Sequence, residues 1–226
     1  DFPPPYTISL NNLKIPKRLE NSVRFIGMIL PTNPSEGKEA RAIRTELDVE
    51  EGECLIFAPI SGPREERRSL IARLTELFED LPREYRVVMS LGEVEGGSTL
   101  TRKGSLTIIP WIMNRFDYLK ACDLVVSRPG HGTIMQSIAF GKPQILIPTP
   151  GHTEQHFNAK RAQELGVAKV IDQEALTKKR LLSTITKMPT SKDYSTNLER
   201  IREANRTDGV QNAVEEIMRL HRKATS

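Results

Sequence analysis

A chain of 226 residues is long enough for one large domain or two small ones, and it can bury a substantial core without disulfides or metals. Its net charge of +4 comes from basic and acidic residues interleaved along the sequence, and aromatics make up only 5%. That excludes the basic, aromatic platform on which single-stranded nucleic acid stacks, so no nucleic-acid partner is expected. No run of about 18 apolar residues could cross a membrane, no leader pattern is present, and Cys54 and Cys122 sit in or beside apolar stretches as core residues of a reducing compartment. The expected location is cytoplasmic.

The first 34 residues hold Pro3, Pro4, Pro5, Pro16, Pro31 and Pro34, a density that favours extended linker structure. This stretch reads as the tail of a connection from something upstream. Within it, Val23 to Leu30 can form an edge strand or dock extended on the domain. Arg41 to Leu47 gives a helical turn or two. Cys54 to Ile60 is a buried strand by its continuous apolar character. Ser61-Gly62-Pro63 turns into a helix carrying Leu70, Ile71, Leu74, Leu77 and Phe78 on one face, with Pro63 suited to its first position. Tyr85 to Met89 is the second strand, Leu91 to Lys103 a loop, and Leu106 to Ile109 the third strand. Helix at Asn114 to Ala121 leads to a fourth strand, Leu124 to Ser127. Helix from about Thr133 to Phe140 leads to a fifth, Ile145 to Pro148. A further helix, Thr153 to Leu165, stops at Gly166 before a sixth strand, Val167 to Ile171. Glu174 to Lys187 and Asp193 to Lys223 are helical, the latter with a sparse apolar stripe at Ala204, Val210, Val214, Ile217 and Leu220. Lys178, Lys179, Arg180 and Lys187 read as a solvated face. Six strands alternating with helices predict an α/β fold: a doubly wound, six-stranded parallel sheet.

The chemistry concentrates after the fourth and fifth strands. Ser127-Arg128-Pro129-Gly130-His131-Gly132-Thr133 feeds a strand into a helix, and glycines there let a backbone approach a ligand while helix-start N–H groups suit an anion. A phosphate fits that place, and the His131 imidazole can contact a phosphate or a sugar hydroxyl. Thr149-Pro150-Gly151 then opens the next helix on the same sheet edge, where open α/β folds bind ligands. Trp111 ends the third strand on that edge, either covering a base or packing. Ser61-Gly62-Pro63 lacks a GxGxxG pattern and is followed by Glu65 and Glu66, which argues against a dinucleotide site. His152 and His156 share a helix face, but no third ligand has matching spacing, so no metal is expected. No catalytic triad, nucleophile elbow or activated cysteine is present.

From Ile109 to Asp172 the chain resembles the C-terminal, donor-binding domain of GT-B glycosyltransferases. The resemblance is strongest to the bacterial transferases that add N-acetylglucosamine to the lipid-linked peptidoglycan precursor and to the UDP-glucuronosyltransferases. Asp123, Gly130-His131-Gly132-Thr133, Gly141-Lys142-Pro143, Pro148, Glu154-Gln155 and Asn158-Ala159 carry it, in the family's order. The resemblance implies that Gly130, His131, Gly132 and Thr133 hold the donor diphosphate, that Gln136 lies at the ribose, Trp111 and Ile112 at the base, and Glu154 and Gln155 at the donor sugar. Gln136 departs from the family's usual Glu, and a neutral amide accepts ribose hydroxyls without charge assistance.

The resemblance further implies a Rossmann-like half of a GT-B fold: residues 1–50 as interdomain linker and docking segment, 51–190 as nucleotide-sugar donor domain, and 191–226 as a helical tail. It implies inverting hexosyl transfer from a nucleotide-diphosphate sugar, UDP-linked by preference, with neither metal nor cofactor. The acceptor and general base would come from an N-terminal domain or subunit outside this chain, with peripheral contact to the inner face of the membrane. Two alternatives stay open, a non-catalytic sugar-nucleotide-binding subunit of a split glycosyltransferase and a sugar-nucleotide 2-epimerase.

Overall fold

The computed structural model describes residues 1–30, 34–97, 99–206 and 208–225. Pro31 of the proline-rich start and Thr207 of the expected C-terminal helix lie outside the described residues. The strands are β1 (Cys54–Pro59), β2 (Tyr85–Ser90), β3 (Thr101–Lys103), β4 (Leu106–Ile109), β5 (Leu124–Ser127), β6 (Gln144–Leu146) and β7 (Ala168–Val170). The helices are α1 (Ala40–Glu46), α2 (Arg64–Glu79), α3 (Arg115–Ala121), α4 (His131–Ala139), α5 (Thr153–Glu164), α6 (Lys178–Lys187), α7 (Lys192–Ala204) and α8 (Gly209–Ala224).

One sheet runs in the order β3-β4-β2-β1-β5-β6-β7. All neighbours are parallel except β3 on β4. β1 and β5 are central and fully covered, which is why their sequences are continuous apolar runs rather than alternating ones. Successive residues still point to opposite faces. Ile56, Ala58 and Val126 pack with Leu70, Leu74 and Phe78 of α2 and with Leu181 and Ile185 of α6. Leu55, Phe57 and Val125 pack on the other side with Ile43 of α1 and Leu119 of α3. A third cluster joins Ile134 and Ile138 of α4, Ala159 and Ala162 of α5 and Leu198 and Ile201 of α7, and it takes in Phe2 and Ile8 from the start of the chain. Helices on both faces make the fold doubly wound.

The sheet has seven strands rather than the six expected. β3 falls in the expected 91–103 loop because its three side chains are all exposed and give no apolar period. Backbone pairing alone reveals it, Thr101 opposite Ile108 and Lys103 opposite Leu106. The turn between them needs Gly104, whose φ is +55 and whose added Cβ would strike the Glu79 carbonyl. The C-terminal stretch is two helices rather than one. Asp208 caps α8 by accepting from Val210 N at 2.8 Å and Gln211 N at 3.2 Å. Val23 to Leu30 is not a strand but docks extended, with Gly27 N donating to Asp1 O at 3.2 Å and Asn212 Nδ2 to Ile26 O at 2.9 Å. Pro63 sits one place earlier than expected, at the N-cap of α2.

The N-terminal end of the sheet is closed by charge. Asp123 Oδ2 accepts from Leu55 N at 2.7 Å and from Arg44 at 3.0 Å. Arg44 also donates to Ala121 O and Glu53 O, and the Glu53 carboxylate takes Arg86 Nε at 3.0 Å. The Arg86 guanidinium holds the Glu53 carboxyl below its ordinary range. Asp123 therefore locks β5 to β1 at the end opposite the strand termini that feed the loops of interest.

Candidate functional site

The C-terminal ends of the parallel strands all open on one edge, and the loops that leave them bring together most of the residues singled out from the sequence. α4 begins two residues earlier than expected, at His131, with Gly130 as its N-cap and no side-chain cap. The first intrahelical bond runs from Ile134 N to Gly130 O at 3.1 Å, so the N–H groups of His131, Gly132 and Thr133 have no acceptor within the helix. They make up the positive end of the helix dipole.

The two glycines here are not demanded by the fold. Neither has a positive φ. An added Cβ on Gly132 would meet nothing within 4 Å, and one on Gly130 only Thr133 Oγ1 at 3.9 Å. Elsewhere the contrast is sharp: Gly166, with φ +70, would strike Asn197, and Gly209 would strike the Met28 backbone. Glycine at 130 and 132 keeps space clear above free amides, the form of a site for an anion.

Beneath the loop, Arg128 is 5% exposed and points away from that space. Its guanidinium donates to Ile147 O at 2.9 Å, Gln173 Oε1 at 2.6 Å and Glu66 O at 3.2 Å, clamping β6 and α2 to the end of β5. Burial lowers its pKa to about 10, which leaves it charged at neutral pH. Asn158, buried on α5, donates to Pro129 O at 3.3 Å and accepts from Asn12 at 2.8 Å. Both side chains set the loop's shape, and neither role has a local sequence signal.

Gln136 and His131 line one cavity of about 250 Å³ together with Gly132, Met135, Asp1 and residues 26–29. His131 Nε2 lies 3.1 Å from the Asp1 carboxylate, yet it is buried without an aligned hydrogen-bond partner. Burial pushes the His131 pKa down, with the Glu154 carboxylate opposing. Asp1 is the residue of this site that local sequence reasoning missed.

On α5, His152 is a cap: its Nδ1 accepts from Gln155 N at 3.4 Å. His156 Nδ1 sits 2.9 Å from the His152 carbonyl. The pair is thus engaged with the helix backbone, and among the described residues no three His, Cys, Asp or Glu side chains are grouped to hold a metal. Gln155 Oε1 accepts from Thr149 N at 2.9 Å, bending over the loop after β6, while Glu154 is exposed and accepts from Asn158 at 3.4 Å. Trp111 and Ile112 leave β4 on the same edge but do not line the cavity of Gln136. Trp111 is half-buried, its backbone N–H donates to Gly97 O at 3.0 Å, and Ile112 packs against the cluster of Phe57 and Leu119. At the end of β1, Gly62 O accepts from Arg67 at 3.0 Å. Burial raises both cysteine thiols to about 12, so neither is an activated nucleophile.

Residues 67–217 match the model of the glycosyltransferase family 28 C-terminal domain. The chain belongs to this family. A UDP-N-acetylglucosamine--N-acetylmuramyl-(pentapeptide) pyrophosphoryl-undecaprenol N-acetylglucosamine transferase of Caldicellulosiruptor saccharolyticus is 28% identical over 224 residues, which cover 92% of this chain and 59% of that enzyme. Among solved structures, the glycotransferase of kitacinnamycin superposes with a TM-score of 0.69 at 21% identity, over 86% of this chain and 48% of that one. MurG of Acinetobacter baumannii gives 0.60 at 20% identity, over 83% and 55%. These likenesses show the GT-B C-terminal fold. The chain thus spans about half the length of the relatives it matches. The family 28 match covers every strand-end loop described above except Ser61-Gly62-Pro63. Among the described residues no helix is long and apolar enough to cross a membrane.

Proposed function

We propose that this family 28 domain binds a nucleotide-diphosphate sugar, with UDP as the nucleotide, and supplies the donor half of an inverting hexosyl transfer. The observation that carries the reading is the start of α4: three free amides beneath two glycines whose missing Cβ atoms the fold does not require. The diphosphate lies there, with His131 beside it. Gln136, in the adjoining cavity, accepts from the ribose hydroxyls. Trp111 and Ile112 lie at the base. β4 is three ladder spacings from β5, roughly 14 Å across the strands, a distance a nucleoside diphosphate can span. Glu154 and Gln155, at the start of α5, take the sugar hydroxyls.

In the reaction an acceptor hydroxyl attacks the anomeric carbon from the face opposite the diphosphate. The new C–O bond forms as the bond to phosphate breaks, the nucleoside diphosphate leaves with the electron pair, and the hydroxyl proton passes to a base on the acceptor-binding half. The amides at α4 offset the charge that develops on the leaving oxygen, which needs no reorganisation at the moment of transfer. No resident cofactor or metal is assigned. The acceptor half is a separate domain or subunit. Contact with the inner face of a membrane belongs to the same proposal, since the Caldicellulosiruptor relative's name gives a pyrophosphoryl-undecaprenol acceptor.

Calorimetric titration with UDP, UDP-N-acetylglucosamine, GDP and TDP tests this reading, repeated with Gln136→Ala. Uridine-nucleotide binding weakened by the substitution is the expected result. Binding that ignores the nucleobase and the substitution alike would overturn the assignment of Gln136 to the ribose.

A further inference from the structure

The Asp1 carboxylate is built into the wall of the α4 cavity. Its Oδ1 accepts from Phe2 N at 2.7 Å and Ile8 N at 3.1 Å, and its Oδ2 from Ser9 N at 2.9 Å and Ser9 Oγ at 2.5 Å. Four donors fill the positions a carboxylate offers, so this group is a fixed negative charge and is badly placed to take a proton from an acceptor hydroxyl. Phe2 and Ile8, 2% and 0% exposed, are packed with Ile134 and Met135 of α4, which fixes the turn relative to the helix start. Against this charge stands His131 Nε2 at 3.1 Å. The negative charge at that distance favours the form of the ring in which Nε2 carries the hydrogen. Among the described residues that hydrogen has no aligned acceptor, and a buried donor without one is costly.

We propose that Asp1 is a positioning residue for the donor site: it holds the His131 ring at the cavity with its Nε2 proton in place, so that an entering diphosphate oxygen completes the bond. The inference rests on the reading of α4 as the diphosphate site. It also gives that reading a pH dependence. With a neutral ring, Asp1 repels the diphosphate; with an imidazolium, the pair is neutral overall and the helix amides act unopposed. Diphosphate binding therefore draws a proton onto His131. The charged side chains that face the ring are the Asp1 carboxylate and Glu154.

The test follows the His131 ring by NMR in the ligand-free chain across pH 5 to 8, in the unaltered protein, Asp1→Asn and His131→Gln, with UDP affinity measured over the same range. Asp1→Asn keeps an acceptor oxygen for the turn but removes the charge. Its ring midpoint is expected to fall by about one pH unit. UDP affinity is expected to rise several-fold as pH falls in the unaltered protein, to shift its midpoint with the ring in Asp1→Asn, and to lose that dependence in His131→Gln. A folded Asp1→Asn whose ring midpoint has not moved overturns the pairing whatever UDP does. If Asp1→Asn disrupts the turn, the decision falls to His131→Gln, where a pH dependence of UDP affinity equal to that of the unaltered protein sinks the inference. Absence of UDP binding at every pH would instead sink the donor-site reading, and the ligand-free titration would still decide the pair.

Discussion

The two ends of the sheet use polar groups in opposite ways. At the N-terminal end Asp123, Arg44, Glu53 and Arg86 bond one another and the backbone. Donors and acceptors there are spent on joining strands. At the C-terminal end the amides that open α4 are unfilled, and the buried Arg67 Nε, Ser127 Oγ and His131 Nε2 have no partner. Among the described residues three of the four buried side-chain atoms without a partner lie at this edge, the fourth being Gln144 Oε1 at the start of β6, and because buried polar groups are normally satisfied that gathering marks where a ligand completes the structure. The glycines divide the same way: Gly104 and Gly166 are imposed by backbone conformation and close contacts, whereas Gly130 and Gly132 leave room that nothing in the domain occupies.

The sharpest way to break this contrast is to fill the room. Replacing Gly130 and Gly132 together with leucine is expected to abolish measurable UDP binding in calorimetry while the thermal midpoint stays within a few degrees of the unaltered protein. Unchanged affinity would put the diphosphate elsewhere. The matching change at a structural glycine, Gly104→Ala, should cost roughly 2–3 kcal/mol of stability in urea unfolding, from a strained φ and a clash with the Glu79 carbonyl. A neutral outcome would mean that the β3 turn is free to move aside.

At the closed end, Asp123→Ala leaves Leu55 N and Arg44 without their acceptor and is expected to cost about 1–2 kcal/mol. The figure is modest because Asp123 and Arg44 are 39% and 24% exposed at the side chain, and solvent screens their attraction. UDP affinity should be untouched, and a loss there would show the two ends to be coupled. The smallest effect is the pH dependence of folding. The His131 pKa is lowered from its ordinary 6.5, so the unfolded chain binds the proton more readily. Its contribution to stability is complete above about pH 6.5 and is lost as pH falls from there through the folded midpoint. His131→Gln should flatten that part of the denaturation profile, and an unchanged slope would place the titrating group elsewhere.

The sheet was legible because burial leaves a local record. β1 and β5 are covered on both faces, and continuous runs such as Leu55 to Ala58 say so directly. β3 left no such record, since three exposed side chains carry no period. The break between α7 and α8 did leave one, in Asp208-Gly209, but the sparse apolar stripe on both sides hid it. The helix-start glycines were visible as residue types, while the fact that mattered about them, the empty space above Gly132, is a property of neighbours.

Much of the site was decided in the same way, by segments far apart in the sequence. The sequence places His152 and His156 on one helix face with no third ligand to make a metal site, and folding uses His152 as a cap for α5. Arg128, inside the Gly-bearing loop, has no local signal for its role, and folding commits it to Ile147, Gln173 and Glu66. The sequence by itself determined the order of the buried strands and the helices between them, the two-sided burial and the place where an anion could approach, because hydrophobic period and turn chemistry act over a few neighbouring residues. The tertiary structure alone decided which polar groups meet, above all Asp1 with His131, because a hydrogen bond or charge contact between distant segments imposes no pattern on the residues around either partner.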